Sequence, residues 1–305
     1  MSRSVAVLMG GWSSERDVSL VSGAACAKAL VTLGYDARTI DVTRDLAALT
    51  RVLEPRPDVV FNALHGRGGE DGTVQGVLEF LGIPYTHSGV LASAVAMDKP
   101  MAKAVFAQAG LPLPEGAVVA RDQLGVADPL PPPFVVKPTN EGSSVGVRIV
   151  RANDNSWRAE ARQWAYADAL VERFIPGREI TVAVMGDRAL GVCEIRTRGT
   201  FYDYTAKYAT GGSDHIVPAP MHPRAYDEAM AIGLKAHQAL GCRGVSRADL
   251  RYDDTAGEPG QLYLLEVNTQ PGMTPTSLVP DIARHAGIEF DELVRWMVEN
   301  AACDF

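Results

Sequence analysis

Cysteine is scarce in this chain. There are four in 305 residues (Cys26, Cys193, Cys242 and Cys303), none in a Cys-x-x-Cys or Cys/His arrangement. That argues against a disulfide framework and against a zinc site, and it suits reduced thiols in a cytosol. Charge of one sign is never concentrated either. The formal net charge of −8 is spread over a sequence with no run of five or six like charges, so nothing advertises a nucleic acid or an acidic membrane as partner. Long apolar runs are missing too, and no stretch approaches the roughly 20 residues of a membrane span. The short apolar run before Gly10-Gly11 is too brief for a secretory leader and reads as a strand entering a turn. Gly-x4-Gly-Lys-Ser/Thr occurs nowhere, which excludes a P-loop, and neither glycine-rich turn near the start completes Gly-x-Gly-x-x-Gly.

What is present is ordinary for a globular protein. Hydrophobic residues make up 47% and charged residues 22%, with enough length for a large core and two or three domains. Residues 1–93 alternate strand and helix. Apolar Ser4–Met9 runs into Gly10–Glu15, and a helix is marked by Val18, Val21, Ala25 and Leu30. Strands near 35–42 and 58–64 follow, then a glycine-rich turn from His65 to Gly72, a helix, and a short strand at 83–86. Such alternation predicts a parallel sheet with helices on its faces and ligands off the carboxyl ends of its strands. Glu15 and His65 stand at two such ends. Glu15 reads equally well as a carboxylate capping the helix.

From 94 to 174 the pattern changes. Helical periodicity covers 91–109, and a proline-rich connector leads to the strand Phe134–Pro138. Thr139-Asn-Glu-Gly-Ser-Ser-Val-Gly146 follows, then a strand at 147–150. A glycine- and serine-rich loop behind a lysine can present backbone amides and a point charge to phosphate oxygens. A short helix near 156–166 and a strand at 169–174 end in a break at Pro176-Gly177. From 175 to 305 the sequence predicts a hairpin over Gly186-Asp187, a long aperiodic loop at 196–220 with the character of a lid, a helix at 223–240, a second hairpin, and two closing helices.

The second hairpin carries the sharpest signal. Arg247-Ala-Asp-Leu-Arg-Tyr252 and Gln261-Leu-Tyr-Leu-Leu-Glu-Val-Asn268 flank a turn. Folding them symmetrically places Asp249 opposite Glu266 and Arg247 opposite Asn268, all on one face. The other face pairs Ala248 with Val267, Leu250 with Leu265 and Tyr252 with Tyr263. Oxygen side chains converging on one point suit Mg²⁺.

Six motifs, in order along nearly the whole chain, resemble the D-alanine–D-alanine ligase family of the ATP-grasp fold. They are Gly10-Gly-Trp-Ser-Ser-Glu-Arg-Asp-Val-Ser19, Leu64–Gly72, Met97-Asp-Lys99, Val136-Lys-Pro138 with Glu141–Gly146, Gly199–Tyr208 and Leu265–Thr274. The resemblance implies an α/β chain with an α+β C-terminal half: an N-terminal parallel-sheet domain (1–93), a central ATP-grasp subdomain (94–174) and a C-terminal one with lid and metal site (175–305). It implies transfer of the ATP γ-phosphoryl group to one D-alanine, then attack by the amine of a second, for peptidoglycan precursors.

Carried over residue by residue, Asp249, Glu266 and Asn268 would hold two Mg²⁺ ions, with Mn²⁺ as an alternative. Lys99 and Lys137 would face the α/β-phosphates, with Ser143 and Ser144 closing over them. Glu172, Arg173, Phe174 and Ile175 would meet the adenine, and Glu179 the ribose. Arg247 and the Gly272 amide would stabilise the oxyanion. Glu15 would pair with the first D-alanine's ammonium, His65 would sit near its carboxylate, and Ser277 would receive the second D-alanine. Lys207 would reach the γ-phosphate and Tyr208 would bond Ser143. Gln270 stands where many relatives have Leu or Ser, and Arg173 where some have Lys. The family further implies a homodimer, while the scattered thiols and the spread charge point to a cytoplasmic protein without nucleic-acid or membrane partners. The competing readings are a D-alanine–D-lactate or L-amino acid ligase, and a nucleotide-binding regulator without catalysis.

Overall fold

Val5, Val7, Val59, Val60 and Phe61 are fully buried, and strands covered on both faces read as continuous apolar runs. They belong to β1 (Ser4–Gly10) and β3 (Val59–Asn62), which flank each other in a three-stranded parallel sheet of order β2-β1-β3, with β2 at Asp36–Val42. The computed structural model describes residues 2–142, 145–154, 156–197 and 213–304. Helix α1 (Arg16–Thr32) crosses from β1 to β2, α2 (Leu46–Val52) from β2 to β3, and α3 (Thr73–Leu81) follows β3. The sequence reading passed over α2. The strand expected at 83–86 is reduced to isolated bridges of Tyr85 with Val60 and with Ala302.

The single helix expected over 91–109 is two, α4 (Val90–Met97) and α5 (Lys99–Gln108). Asp98 between them leaves helical geometry (φ −91°, ψ 96°), and its carboxylate accepts a bond from the Met101 amide. Pro100 at the start of α5 is compatible only with a helix beginning there. The break makes Lys99 the first residue of α5 and buries it.

A second, four-stranded antiparallel sheet has order β4-β7-β5-β6, from Gly116–Val119, Ala169–Arg173, Phe134–Pro138 and Arg148–Val150. Strand β4 went unseen in the sequence, and the helix expected at 156–166 is only α6 (Trp157–Ala161). The third sheet has order β10-β9-β8-β11-β12, all antiparallel, from Ser213–Ile216, Arg188–Thr197, Arg178–Met185, Val245–Asp253 and Gln261–Asn268. Part of the expected loop at 196–220 is therefore strand: β9 runs to Thr197, and β10 pairs with it. Helix α7 (Pro223–Ala239) covers this sheet. Helices α8 (Leu278–His285) and α9 (Phe290–Glu299) share a core with α1, β1, β3 and β9, which joins the first and third sheets.

The hairpin pairs Arg247 with Asn268, Ala248 with Val267 and Asp249 with Glu266, as folded from sequence. Beyond Asp249 the register shifts, so that Leu250 faces Leu264 and Tyr252 faces Leu262, not Leu265 and Tyr263. Leu265 is the extra residue of a β-bulge. Symmetric folding misplaced it because alternation has no way to mark an inserted residue. With the bulge, Leu262, Leu264 and Val267 keep to the core, while Leu265 and Glu266 both line one cavity.

Candidate active site

Two cavities lie where the three sheets meet. One, of about 670 Å³, is lined by Glu15, His65, Arg247, Asn268, Gly272 and Ser277. The other, of about 440 Å³, is lined by Lys137, Phe174, Ile175, Glu179 and Asp249, together with Glu172 and Arg173. Lys99, Glu141, Gly142 and Glu266 line both, so the two spaces share a wall. Every expected site residue among those described borders one cavity or the other. Ser143, Ser144, Lys207 and Tyr208 fall outside the described residues.

The larger cavity has an acidic end built on the first sheet. Glu15 holds the N-cap position of α1, yet its carboxylate makes no capping bond. It lies instead against Gly66, where an added Cβ would come within 2.8 Å of Oε2. Ser13 fixes this arrangement by accepting from the Glu15 amide at 3.1 Å and donating to the His65 carbonyl at 2.7 Å. His65 has Nδ1 at 3.0 Å from Glu70 Oε1 and Nε2 at 3.3 Å from Ser22 Oγ. Burial pushes the Glu70 carboxyl above its ordinary range; His65 opposes this and the charge of Glu15 adds to it. Two carboxylates and an imidazole so placed suit an ammonium group.

At the other end, Gly272 faces Ser277, whose Oγ would stand 3.1 Å from a Cβ at that position. Ser277 Oγ accepts from the Thr274 amide at 3.1 Å, which shapes the loop into α8. Arg247 is held by Asp249. Its Nε and Nη2 donate to the two oxygens of Asp249 at 2.8 and 2.7 Å, and Thr181 Oγ donates to Asp249 Oδ1 at 2.6 Å.

The smaller cavity has a buried ion cluster in its wall. Glu172 is buried between Lys103 and Lys137 and contacts both. Burial opposes its charge, but the two lysines outweigh burial and hold the carboxyl below its usual range. Lys103 is pushed down to about 8, chiefly by burial and further by Lys137, against the pull of Glu172. Of the three, Lys137 and Glu172 line the nucleotide-sized space, and the contact of Lys103 with Glu172 offsets the carboxylate's charge beside Lys137. Lys99 donates to the Glu141 carbonyl at 2.6 Å and lies 3.6 Å from Glu266. Arg173 stacks at 5.3 Å over Tyr263 and bonds its hydroxyl at 3.1 Å. The carbonyls of Ile175 and Gly177 accept from Arg251 at 3.1 and 2.7 Å, which pins the connection between β7 and β8.

The expected metal ligands offer only hard oxygen. Among the described residues no three acidic, histidine or cysteine side chains are grouped to hold a metal. The expected set contains two carboxylates and an amide, and Asp249 and Asn268 border different cavities that Glu266 joins. Asn268 Oδ1 already accepts from the Gln270 amide at 2.8 Å, yet an amide oxygen keeps a second lone pair. Both oxygens of Asp249 likewise accept from Arg247 and keep further lone pairs, so in donor chemistry alone the three residues suit Mg²⁺ completed by phosphate and water.

Sequence reasoning missed four features here: Lys103, Arg251, the pair His215–Asp281, and the role of Gln270. Fully buried Gln270 donates to the Leu64 carbonyl and accepts from Asn62 Nδ2 at 2.8 Å. Asn62 also holds the Gly69 carbonyl at 3.0 Å. None of these has a local signal, because each partner lies far off in sequence.

Known proteins match this architecture. Residues 105–299 match the family model described as D-ala D-ala ligase C-terminus, and residues 50–88 the one described as D-ala D-ala ligase N-terminus. A D-alanine–D-alanine ligase of Paramagnetospirillum magneticum is 63% identical over 310 residues, covering 100% of both chains. One of Granulibacter bethesdensis is 58% identical over 99% of this chain and 98% of its own. The crystal structure of the Bacillus anthracis enzyme complexed with ATP superposes with a TM-score of 0.81, at 32% identity over 98% of this chain and 97% of that one.

Proposed function

Because this chain belongs to the D-alanine–D-alanine ligase family, we infer how its two cavities divide the work of that reaction. The chain is an ATP-dependent ligase of the ATP-grasp fold that joins two D-alanines through an acyl phosphate and supplies the dipeptide for peptidoglycan. A carboxylate is a poor electrophile, and phosphorylation gives it a leaving group. The protein's part is placement and neutralisation of charge.

ATP occupies the smaller cavity. Its adenine lies against Phe174 and Ile175, its ribose near Glu179, and its phosphates over Lys99 and Lys137. The first D-alanine occupies the larger cavity with its ammonium toward Glu15. Arg247 and the Gly272 amide face the oxygen that becomes negative, and Ser277 meets the second D-alanine. Asp249, Glu266 and Asn268 would hold Mg²⁺, which when bound neutralises phosphate oxygens. Three domains bounded near 93 and 174 accompany this division, each containing one of the three sheets. A homodimer and a cytoplasmic location complete the reading; among the described residues no helix is long and apolar enough to cross a membrane.

One observation carries the assignment. Glu266 and Lys99 border both cavities, so the phosphate end of one ligand meets the carboxylate end of the other. ADP release is expected to require D-alanine and Mg²⁺ together. Glu266→Gln should lower turnover by about two orders of magnitude or more while the folded state persists. ADP formation that ignores D-alanine, or a fully active variant, would refute this division of the site.

A further inference from the structure

The second D-alanine reaches the protein as an ammonium ion, and an ammonium nitrogen has no lone pair with which to attack an acyl phosphate. Some group must take its proton. His215 lies on β10 and, like Thr276 and Ser277, lines the larger cavity. Its Nδ1 stands 2.8 Å from Asp281 Oδ2 on α8, and the other oxygen of Asp281 accepts from Arg284 at 3.1 Å. Arg284 also donates to the Pro275 carbonyl at 3.0 Å, in the loop bordering the same cavity.

A carboxylate only accepts hydrogen bonds, so the proton of a neutral His215 sits on Nδ1 and leaves Nε2 as the base. A base held in one orientation by a carboxylate, at the edge of a substrate space, is the arrangement that general base catalysis requires. The imidazole is one-fifth exposed, neither sealed in the core nor fully solvated. Among the described residues, the charged and titratable groups about the pair include Arg284 on α8, Cys193 on the adjoining β9, and Arg247 on β11, which lines the same cavity.

Resting on the ligase reading above, we propose that His215 is the general base for the second half-reaction, with Asp281 as its positioning residue. Nε2 takes one proton from the ammonium, giving an imidazolium stabilised by Asp281. The freed lone pair forms the C–N bond at the acyl carbon. The C–O bond to phosphate breaks, the second amine proton leaves with the phosphate, and His215 returns its proton to water. The bland reading of the same contact is an ion pair that docks β10 onto α8.

Hydroxylamine separates the two readings, because it is a nucleophile uncharged at neutral pH and needs no base to free its lone pair. In His215→Gln, dipeptide formation should fall by about 100-fold or more. Formation of D-alanine hydroxamate from ATP, D-alanine and hydroxylamine should stay within about threefold of the parent. The dipeptide deficit should also narrow as pH rises toward the amine's own pKa. Asp281→Asn should show the same split with a smaller deficit. If hydroxamate and dipeptide fall together, or if neither falls, His215 is not the base. If the unaltered protein makes no hydroxamate, the ligase reading fails and this proposal goes with it.

Discussion

Glu172 shows what a single side chain does here. Two lysines share its nearly buried carboxylate, and removing the shared partner strands both charges. Glu172→Gln should cost about 3–5 kcal/mol of stability near neutral pH, as removing one partner of a buried pair does. The folded-state pKa lies below the ordinary one, so this stabilisation is complete above the usual carboxylate range and is lost as pH falls through the folded value. Denaturant titrations of parent and variant should therefore converge in acid; a constant gap would show that packing, not charge, sets the difference. Lys137 could be read from the sequence because it stands beside a glycine-rich loop, whereas Lys99 and Glu172 were reached only through the family resemblance, Glu172 as a contact of the adenine and not as a partner of lysines. Lys103 could not be read, since a lone lysine on a helix looks like any solvated one until the fold turns it against Glu172.

At the scale of elements, the site depends on departures from regularity. Asp98 splits one expected helix in two and places Lys99 at the shared wall. The bulge at Leu265 turns two successive side chains to one face. Regular periodicity made most of the helices and strands legible, and irregular residues are where it failed. The loop from Asn268 to Gly272 is a third case. Gln270 clamps it to the turn carrying His65 and Glu70, through Leu64 and Asn62. Gln270→Leu should leave a buried carbonyl without its donor, costing about 1–3 kcal/mol. It should also raise KM for the first D-alanine more than it lowers kcat, because the turn drifts relative to the loop. Steady-state kinetics decide: unchanged KM would mean the clamp serves folding alone.

Across the whole molecule, two interior histidines should add acid sensitivity at a higher pH than Glu172 does. Burial pushes His87 down to about 3 and His237 to about 4, from an ordinary 6.5. Between pH 6.5 and 4 the unfolded chain binds protons that the folded chain refuses, so stability falls as pH falls. His87→Gly suits the local φ of +70° and should remove about one proton from that slope. An unchanged slope in urea titrations at several pH values would clear His87. The parallel first sheet was evident from alternation of strand and helix. That α8 and α9 return from the far end of the chain to complete its core was not, because no local pattern records which distant surface an apolar face will find.

The wall common to both cavities has an effect on recognition. Whatever fills one chamber alters the electric field and the solvent at the rim of the next, through Lys99 and Glu266. Nucleotide and amino acid should thus sense each other before any bond is made, and the affinity of an inhibitor for either chamber has meaning only with the occupancy of its neighbour stated.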